Sequence, residues 1–373
     1  MPTTLIVTND YPPSIGGIES FVGDIVELLD RDVVVLTSAA ARPTVDDSGE
    51  VEVVRAGRVL LPSSATTRQA VHLLRSRGAS RVLFGAAAPL GLMAGALRAA
   101  GAQCLVALSH GHETWWATVP GARSLLRRIG DDVDHLSTIS GYTATRIAPA
   151  LSPAARQRMI RLAPPVNPWR FHPLMPARPD SDRRRAIAVG RLVRQKGFDT
   201  LLAGWRLVLQ SWPPSTEPPE LAIVGDGPLR RRLQQDASAL DLGRNVRWAG
   251  ALPRSAVVRE LHRADVFVLP MRTRLAGLNP EGLGLAALEA AACGLPVIVG
   301  NSGGAPETLQ HGRTGFVVDT DPDQLASRLT ALLLDPAWAR RMGAEGRRFV
   351  LSRYGSEAAR ITLRRALALQ DDG

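Results

Sequence analysis

The residues best suited to chemistry lie in glycine-bearing loops, each between an apolar run and a helical pattern. One is Val189-Gly190-Arg191-Leu192-Val193-Arg194-Gln195-Lys196-Gly197, which follows the run Arg185 to Val189. Arg191 and Lys196 can converge on one diphosphate from a single loop. Lys196 is the only lysine among the 45 basic residues, so the other 44 are arginines. Arginine does not replace lysine where a compact, flexible point charge is needed, and that singles out Lys196. A second loop, Pro280-Glu281-Gly282-Leu283-Gly284-Leu285-Ala286-Ala287-Leu288-Glu289, carries two carboxylates. Its glycines let the backbone approach a sugar or phosphate at a helix N-terminus. Glu289 is expected further along that helix, roughly on the side of Glu281. Two acids among Leu, Ala and Cys need partners, and sugar hydroxyls would serve. A third loop, Asn9-Asp10-Tyr11-Pro12-Pro13-Ser14-Ile15-Gly16-Gly17, ends in a glycine pair before a helix. It offers backbone N–H groups to an anion but lacks the Gly-x-Gly-x-x-Gly dinucleotide pattern.

Ser109-His110-Gly111-His112-Glu113 ends an apolar run. Spacing supplies no third ligand to its two histidines, so a metal is not expected. A histidine at the end of a parallel strand, facing a ligand crevice, fits better. Asp132-Val133-Asp134 and Asp319-Thr320-Asp321 mimic metal-diphosphate motifs, but nothing completes a calcium loop around the second.

The elements that position these loops alternate. Apolar runs at 4–8, 32–37, 81–84, 103–107, 185–189, 221–224, 246–248, 266–269 and 296–299 read as strands. Helical patterns such as 18–29 and 200–211 come between them. This rhythm predicts an α/β protein with two helix-covered parallel sheets. The proline-rich stretch Pro164 to Asp182 marks the boundary, and 211–219 reads as a surface loop. The domains are 1–165, 166–352 and a C-terminal segment 353–373.

The 373 residues carry a net charge of +10, are 45% hydrophobic, and contain two cysteines, Cys104 and Cys293. A disordered chain and a disulfide framework are excluded. The charge calls for an anionic partner. Nucleic acid is not expected, because no basic-aromatic interleaving occurs. The first 67 residues hold ten acids and four arginines, whereas 68–130 hold eight arginines and one acid. There Leu125, Leu126 and Ile129 recur at helical spacing among Arg123, Arg127 and Arg128, near Trp115 and Trp116. Such a segment suits an anionic membrane surface, or is a surface helix packed on the sheet. No stretch is long and apolar enough to span a bilayer. The start reads as a strand without a basic leader. The expected location is cytoplasmic, peripheral at the inner face of the membrane.

Together the three loops resemble the retaining glycosyltransferases of family 4, with the two-Rossmann GT-B fold. Glu281 and Glu289 match that family's E-x7-E motif, Gly190-Arg191 with Lys196-Gly197 its diphosphate loop, and Val224-Gly225-Asp226-Gly227-Pro228 a family turn. Further stretches resemble the actinobacterial phosphatidylinositol-monomannoside mannosyltransferases, which use GDP-mannose. They are Thr8 to Pro13 with Gly16-Gly17-Ile18, Phe84 to Leu90, His110 to Glu113, Arg272-Thr273-Arg274 and Ser302 to Glu307. Departures lie on or near the acceptor side: Pro164-Pro165-Val166-Asn167, where the family has aspartate last, and the bulky Thr114-Trp115-Trp116.

The resemblance implies sheets facing a central cleft, an acceptor-binding first domain, a donor-binding second domain, and a last helix, 355–369, returning to the first. It implies that Arg191 and Lys196 hold the donor diphosphate, with Gly190, Gly16 and Gly17 approaching it. Glu281 would bind sugar hydroxyls, the backbone of Gly282, Leu283, Gly284 and Leu285 sugar or phosphate, and Glu289 the ribose. His110 would line the sugar site. Asn9, Asp10, Tyr11, His112, Glu113, Trp115 and Trp116 are acceptor-side candidates. The nucleotide sugar is a substrate; no cofactor or metal is implied. The acceptor is a phosphatidylinositol mannoside or, alternatively, a soluble natural product or aminocyclitol.

Overall fold

A computed structural model describes residues 3–14, 16–39, 51–174 and 183–369. The chain divides into two compact units, Met1–Pro165 with Ser356–Gly373, and Val166–Gly355. Residues 175–182 of the proline-rich stretch lie outside the described residues.

The first unit is built on β1 (Thr4–Thr8), α1 (Gly17–Leu28), β2 (Val33–Thr37), β3 (Glu52–Arg55), α2 (Ser64–Ser76), β4 (Arg81–Phe84), α3 (Ala94–Ala99) and β5 (Cys104–Ser109). It continues through α4 (Glu113–Trp116), α5 (Pro120–Asp132), β6 (His135–Thr138), α6 (Gly141–Ile147), α7 (Pro153–Gln157) and β7 (Met159–Arg161). Its seven strands run parallel in the order β3-β2-β1-β4-β5-β6-β7. Leu5, Ile6 and Val7 are 0% exposed. A parallel strand covered on both faces reads as a continuous apolar run rather than an alternating one. β3, β6 and β7 lacked that signal. β3 is an edge strand with no fully buried residue. β6 carries His135 and Ser137, and β7 is three residues long.

The second unit has β8 (Arg185–Val189), α8 (Phe198–Gln210), β9 (Glu220–Val224), α9 (Arg230–Ala239), β10 (Val246–Gly250) and α10 (Arg254–Leu261). β11 (Val266–Leu269), α11 (Leu285–Ala292), β12 (Val297–Gly300), β13 (Gly315–Val318), α12 (Pro322–Leu334) and α13 (Pro336–Tyr354) follow. Its six parallel strands are ordered β10-β9-β8-β11-β12-β13. The unit begins and ends side by side, because the Val166 N–H donates to the Tyr354 carbonyl at 2.7 Å.

The last helix, α14 (Ser356–Ala366), belongs to the first unit, three residues later than the sequence boundary. Arg360 pairs with Asp30 at 2.8 Å, and Arg81 donates to the Leu367 carbonyl at 2.8 Å.

In each sheet the strand order reverses once, between β1 and β4 and between β8 and β11. Loops leaving adjacent strand ends diverge at such a point, and ligands of open α/β sheets bind in the crevice this leaves.

Candidate active site

At the switch point of the second unit, the loop after β8 meets the segment between β11 and α11. Lys196 Nζ donates to both Glu281 oxygens, at 2.9 and 2.8 Å. Both side chains are largely buried, at 21% and 10% exposure. The backbone is also tied. Gln195 Nε2 donates to the Pro280 carbonyl at 2.6 Å, and the Arg272 N–H to the Gln195 carbonyl at 2.9 Å. Arg272 is held by Asp199 at 2.6 Å. Arg191 is exposed, with no side-chain partner among the described residues. The turn after β9 backs this loop: Leu192 donates to the Asp226 carbonyl at 2.9 Å and Leu229 to the Leu192 carbonyl at 3.1 Å. Gly225, at φ +138, lets the two loops touch, since a Cβ there would stand 2.0 Å from the Gly190 oxygen.

Glu281 is not on a helix. α11 starts at Leu285, after Gly282, Leu283 and Gly284, so helical periodicity does not relate Glu281 to Glu289 as expected. Glu289 lies within α11, 8% exposed. Arg254, at the start of α10, donates to its Oε1 at 3.0 Å and stacks 5.2 Å from the Phe171 ring centroid. Arg254 was missed in the sequence, and Gln195 and Arg272, though they lie in the motifs read there, were given no role. Each reaches its partner only through the fold, and no local spacing announces an ion pair spanning α10 and α11.

At the switch point of the first unit, His110 follows β5 and its Nε2 bonds the Gly85 carbonyl after β4. A carbonyl only accepts, so Nε2 carries the proton and, in the neutral ring, Nδ1 the lone pair. The ring meets Phe21 edge-on at 5.6 Å. Burial holds its pKa below the usual imidazole value, although Glu113, the Gly85 carbonyl and Asp10 favour the charged form. A neutral imidazole can accept a hydrogen bond from a hydroxyl without titrating.

Glu113, expected on the acceptor side, is turned inward. It is 0% exposed, and its Oε2 accepts from Ser109 Oγ at 3.0 Å and from the N–H groups of His110 and Gly111 at 3.0 and 3.3 Å. The carboxylate closes the turn that aims His110. His112 is exposed, with Nε2 3.2 Å from Glu113 Oε1 and 3.3 Å from the Ala88 carbonyl. Asn9 spends both ends of its amide on the Leu60 backbone, at 3.0 and 2.7 Å. Asp10 and Tyr11 are half-buried beside it. Gly16 precedes α1 in extended conformation, and a Cβ there would stand 2.1 Å from Glu19 Oε2. The Glu19 carboxylate thus lies against Gly16, while a Cβ on Gly17 would meet nothing within 4 Å.

Trp116 packs against the core of the first unit, whereas Trp115 is 39% exposed. The α5 leucines part company similarly. Leu126 and Ile129 are 0% exposed, but Leu125 is 40% exposed, as is Val119 at 41%. Arg123 donates to the Pro149 carbonyl and Arg128 lies 3.7 Å from Asp132. Both Asp-x-Asp runs have local duties. Asp134 accepts from the Leu105 N–H and pairs with Arg98; Asp321 caps α12. Among the described residues, no group of three or more His, Cys, Asp or Glu could hold a metal, and no helix is long and apolar enough to cross a membrane.

Comparison with known proteins bears on the family and the fold. The family "Glycosyl transferases group 1" matches residues 176–349. The chain is 39% identical, over 95% of its length and 94% of the relative's, to the GDP-mannose-dependent monoacylated alpha-(1-6)-phosphatidylinositol monomannoside mannosyltransferase of Corynebacterium glutamicum. It is 39% identical, with 95% of each chain covered, to the GDP-mannose-dependent alpha-(1-6)-phosphatidylinositol monomannoside mannosyltransferase of Mycobacterium tuberculosis. Sucrose-phosphate synthase from Thermosynechococcus elongatus superposes with a TM-score of 0.80 at 22% identity, covering 97% and 98% of the two chains. Anabaena HepE, solved with UDP and glucose, gives 0.79 at 16% identity, with 99% and 100% covered, a likeness of fold alone. Two Rossmann-like units of the GT-B type, with full-length relatives of one kind, make the chain a member of the group 1 glycosyl transferases.

Proposed function

We propose that the protein transfers a mannosyl group from GDP-mannose to a phosphatidylinositol mannoside, with retention of anomeric configuration. The observation that carries the substrates is the 39% identity, over nearly both full lengths, to enzymes named for that donor and acceptor. The second unit suits such a donor. A nucleotide sugar joins an anionic diphosphate to a hydroxylated ring at one carbon. Lys196 and Glu281, in contact at 2.8 Å, put a cation for the first beside a carboxylate for the second. On this reading Arg191 and Lys196 bind the diphosphate and stabilise the charge that grows on it as the glycosidic bond breaks. Glu281 orients the sugar, the 282–285 backbone contacts sugar or phosphate, and Glu289, steadied by Arg254, takes the ribose. His110, neutral and protonated on Nε2, accepts from a sugar hydroxyl. No carboxylate is assigned as a nucleophile, so the acceptor hydroxyl attacks on the face the diphosphate leaves, giving up its proton to the departing phosphate.

The first unit would meet the acceptor and rest on an anionic leaflet through Trp115, Val119, Leu125 and Arg127, a mixed apolar and cationic rim. The decisive experiment offers labelled GDP-mannose with vesicles containing phosphatidylinositol monomannoside, beside UDP- and ADP-sugars and soluble inositol or aminocyclitol acceptors. The expected result is label in the lipid extract from GDP-mannose alone. Label in a soluble product, or preference for a UDP-sugar, would overturn the assignment.

A further inference from the structure

The turn Ser302-Gly303-Gly304 grips the peptide of Glu281 on both sides. Ser302 is 2% exposed, and its Oγ accepts the Glu281 N–H at 3.1 Å. That hydroxyl also shares a hydrogen with Thr273 Oγ1 at 2.9 Å. The Gly304 N–H donates to the Glu281 carbonyl at 2.9 Å. Between them Gly303 sits at φ +55, where a Cβ would come 2.0 Å from the same carbonyl oxygen. The turn is itself anchored to the sheet, since the Asn301 N–H donates to the Val318 carbonyl at 2.8 Å.

This matters because Glu281 precedes α11 and has no helical hydrogen bonds to fix its backbone. Among the described residues its side chain is held only through Lys196, and Lys196 must turn to the diphosphate if the donor binds as proposed. The hydroxyl clamp does not depend on the donor. We propose that Ser302 is a positioning residue: through its bond to the Glu281 N–H, itself braced by Thr273, it holds the carboxylate in place for the donor sugar while Lys196 changes partner. The inference rests on the reading of Glu281 as the sugar-binding carboxylate.

The test compares Ser302→Ala, Ser302→Thr, Thr273→Val and Glu281→Gln in the full chain, measuring kcat, donor KM, GDP affinity and melting temperature. Ser302→Ala should lower kcat by about ten- to a hundredfold, as small misplacements of reacting groups do, while GDP affinity stays within about twofold. Ser302→Thr restores the hydroxyl and should recover most of the loss; Thr273→Val, at an exposed position, should fall between. A Ser302→Ala enzyme with wild-type kcat overturns the proposal, as does parallel loss of GDP affinity or a Thr variant as slow as Ala. If Ser302→Ala does not fold, unchanged kcat in Thr273→Val overturns it. An active Glu281→Gln removes the underlying assignment and the proposal with it. An inactive Glu281→Gln beside a normal Ser302→Ala defeats the clamp alone.

Discussion

Replacing Lys196 by alanine should damage both rate and stability, whereas replacing Arg191 should damage rate alone. On the proposed mechanism each cation offsets charge growing on the leaving diphosphate. Losing one such preorganised donor costs about 3 kcal/mol of transition-state stabilisation, or roughly 150-fold in kcat/KM. The stabilities differ because the environments differ. Lys196 lies against both oxygens of a Glu281 side chain only 10% exposed, so its removal strands a carboxylate that water barely reaches. An exposed pair contributes about 0–1 kcal/mol, and breaking a fully buried one costs about 3–5. At this intermediate burial about 2 kcal/mol is expected, or roughly 4–8 °C in Tm for a unit of this size. Arg191 has no side-chain partner among the described residues, and its loss should move Tm by about 2 °C or less. The double variant Lys196→Ala/Glu281→Gln should regain most of the melting temperature but none of the rate. Steady-state kinetics and thermal melts of the three variants decide the matter. A kcat/KM within threefold of wild type for Lys196→Ala would refute the assignment, and equal Tm losses at the two positions would refute the argument from burial.

Glu289→Ala should raise the donor KM more than it lowers kcat, because a ribose contact persists from ground to transition state; a kcat loss at unchanged KM would move Glu289 to the reacting sugar. The triple variant Arg123→Ala/Arg127→Ala/Arg128→Ala should lose co-sedimentation with anionic vesicles, and added salt should release the wild type; a wild type that stays in the supernatant at low salt would favour the soluble-acceptor alternative. His110 should make the fold acid-sensitive. Its pKa is lowered in the folded state, so the unfolded chain binds the proton first as pH falls below about 6.5, and stability falls with it. His110→Asn should flatten melting temperature against pH between about 7 and 5, and an unchanged slope would show that the imbalance lies elsewhere.

The local loops were legible because their chemistry is carried by neighbours in the chain. The strand-loop-helix around Lys196 and the glycines before α11 announce themselves within a short stretch of chain, and the acid-poor, arginine-rich composition of 68–130 shows over the whole segment. So do most of the strands buried on both faces, through their apolar runs, although β13, itself apolar and largely buried, was not read as a strand. The edge strands β3 and β7 escaped because half-exposed or three-residue segments carry no such run. What tertiary structure alone decided is which residues meet. Glu281 finds Lys196 because the sheet places β8 beside β11. Glu289 finds Arg254, Glu113 turns inward to hold its own loop, and Ser302 reaches back across twenty-one positions to the Glu281 amide. Spacing along a chain fixes the partners of a residue within one helix or turn, whereas a parallel sheet sets its strand neighbours by crossover, and that order is not written in the sequence around any one of them.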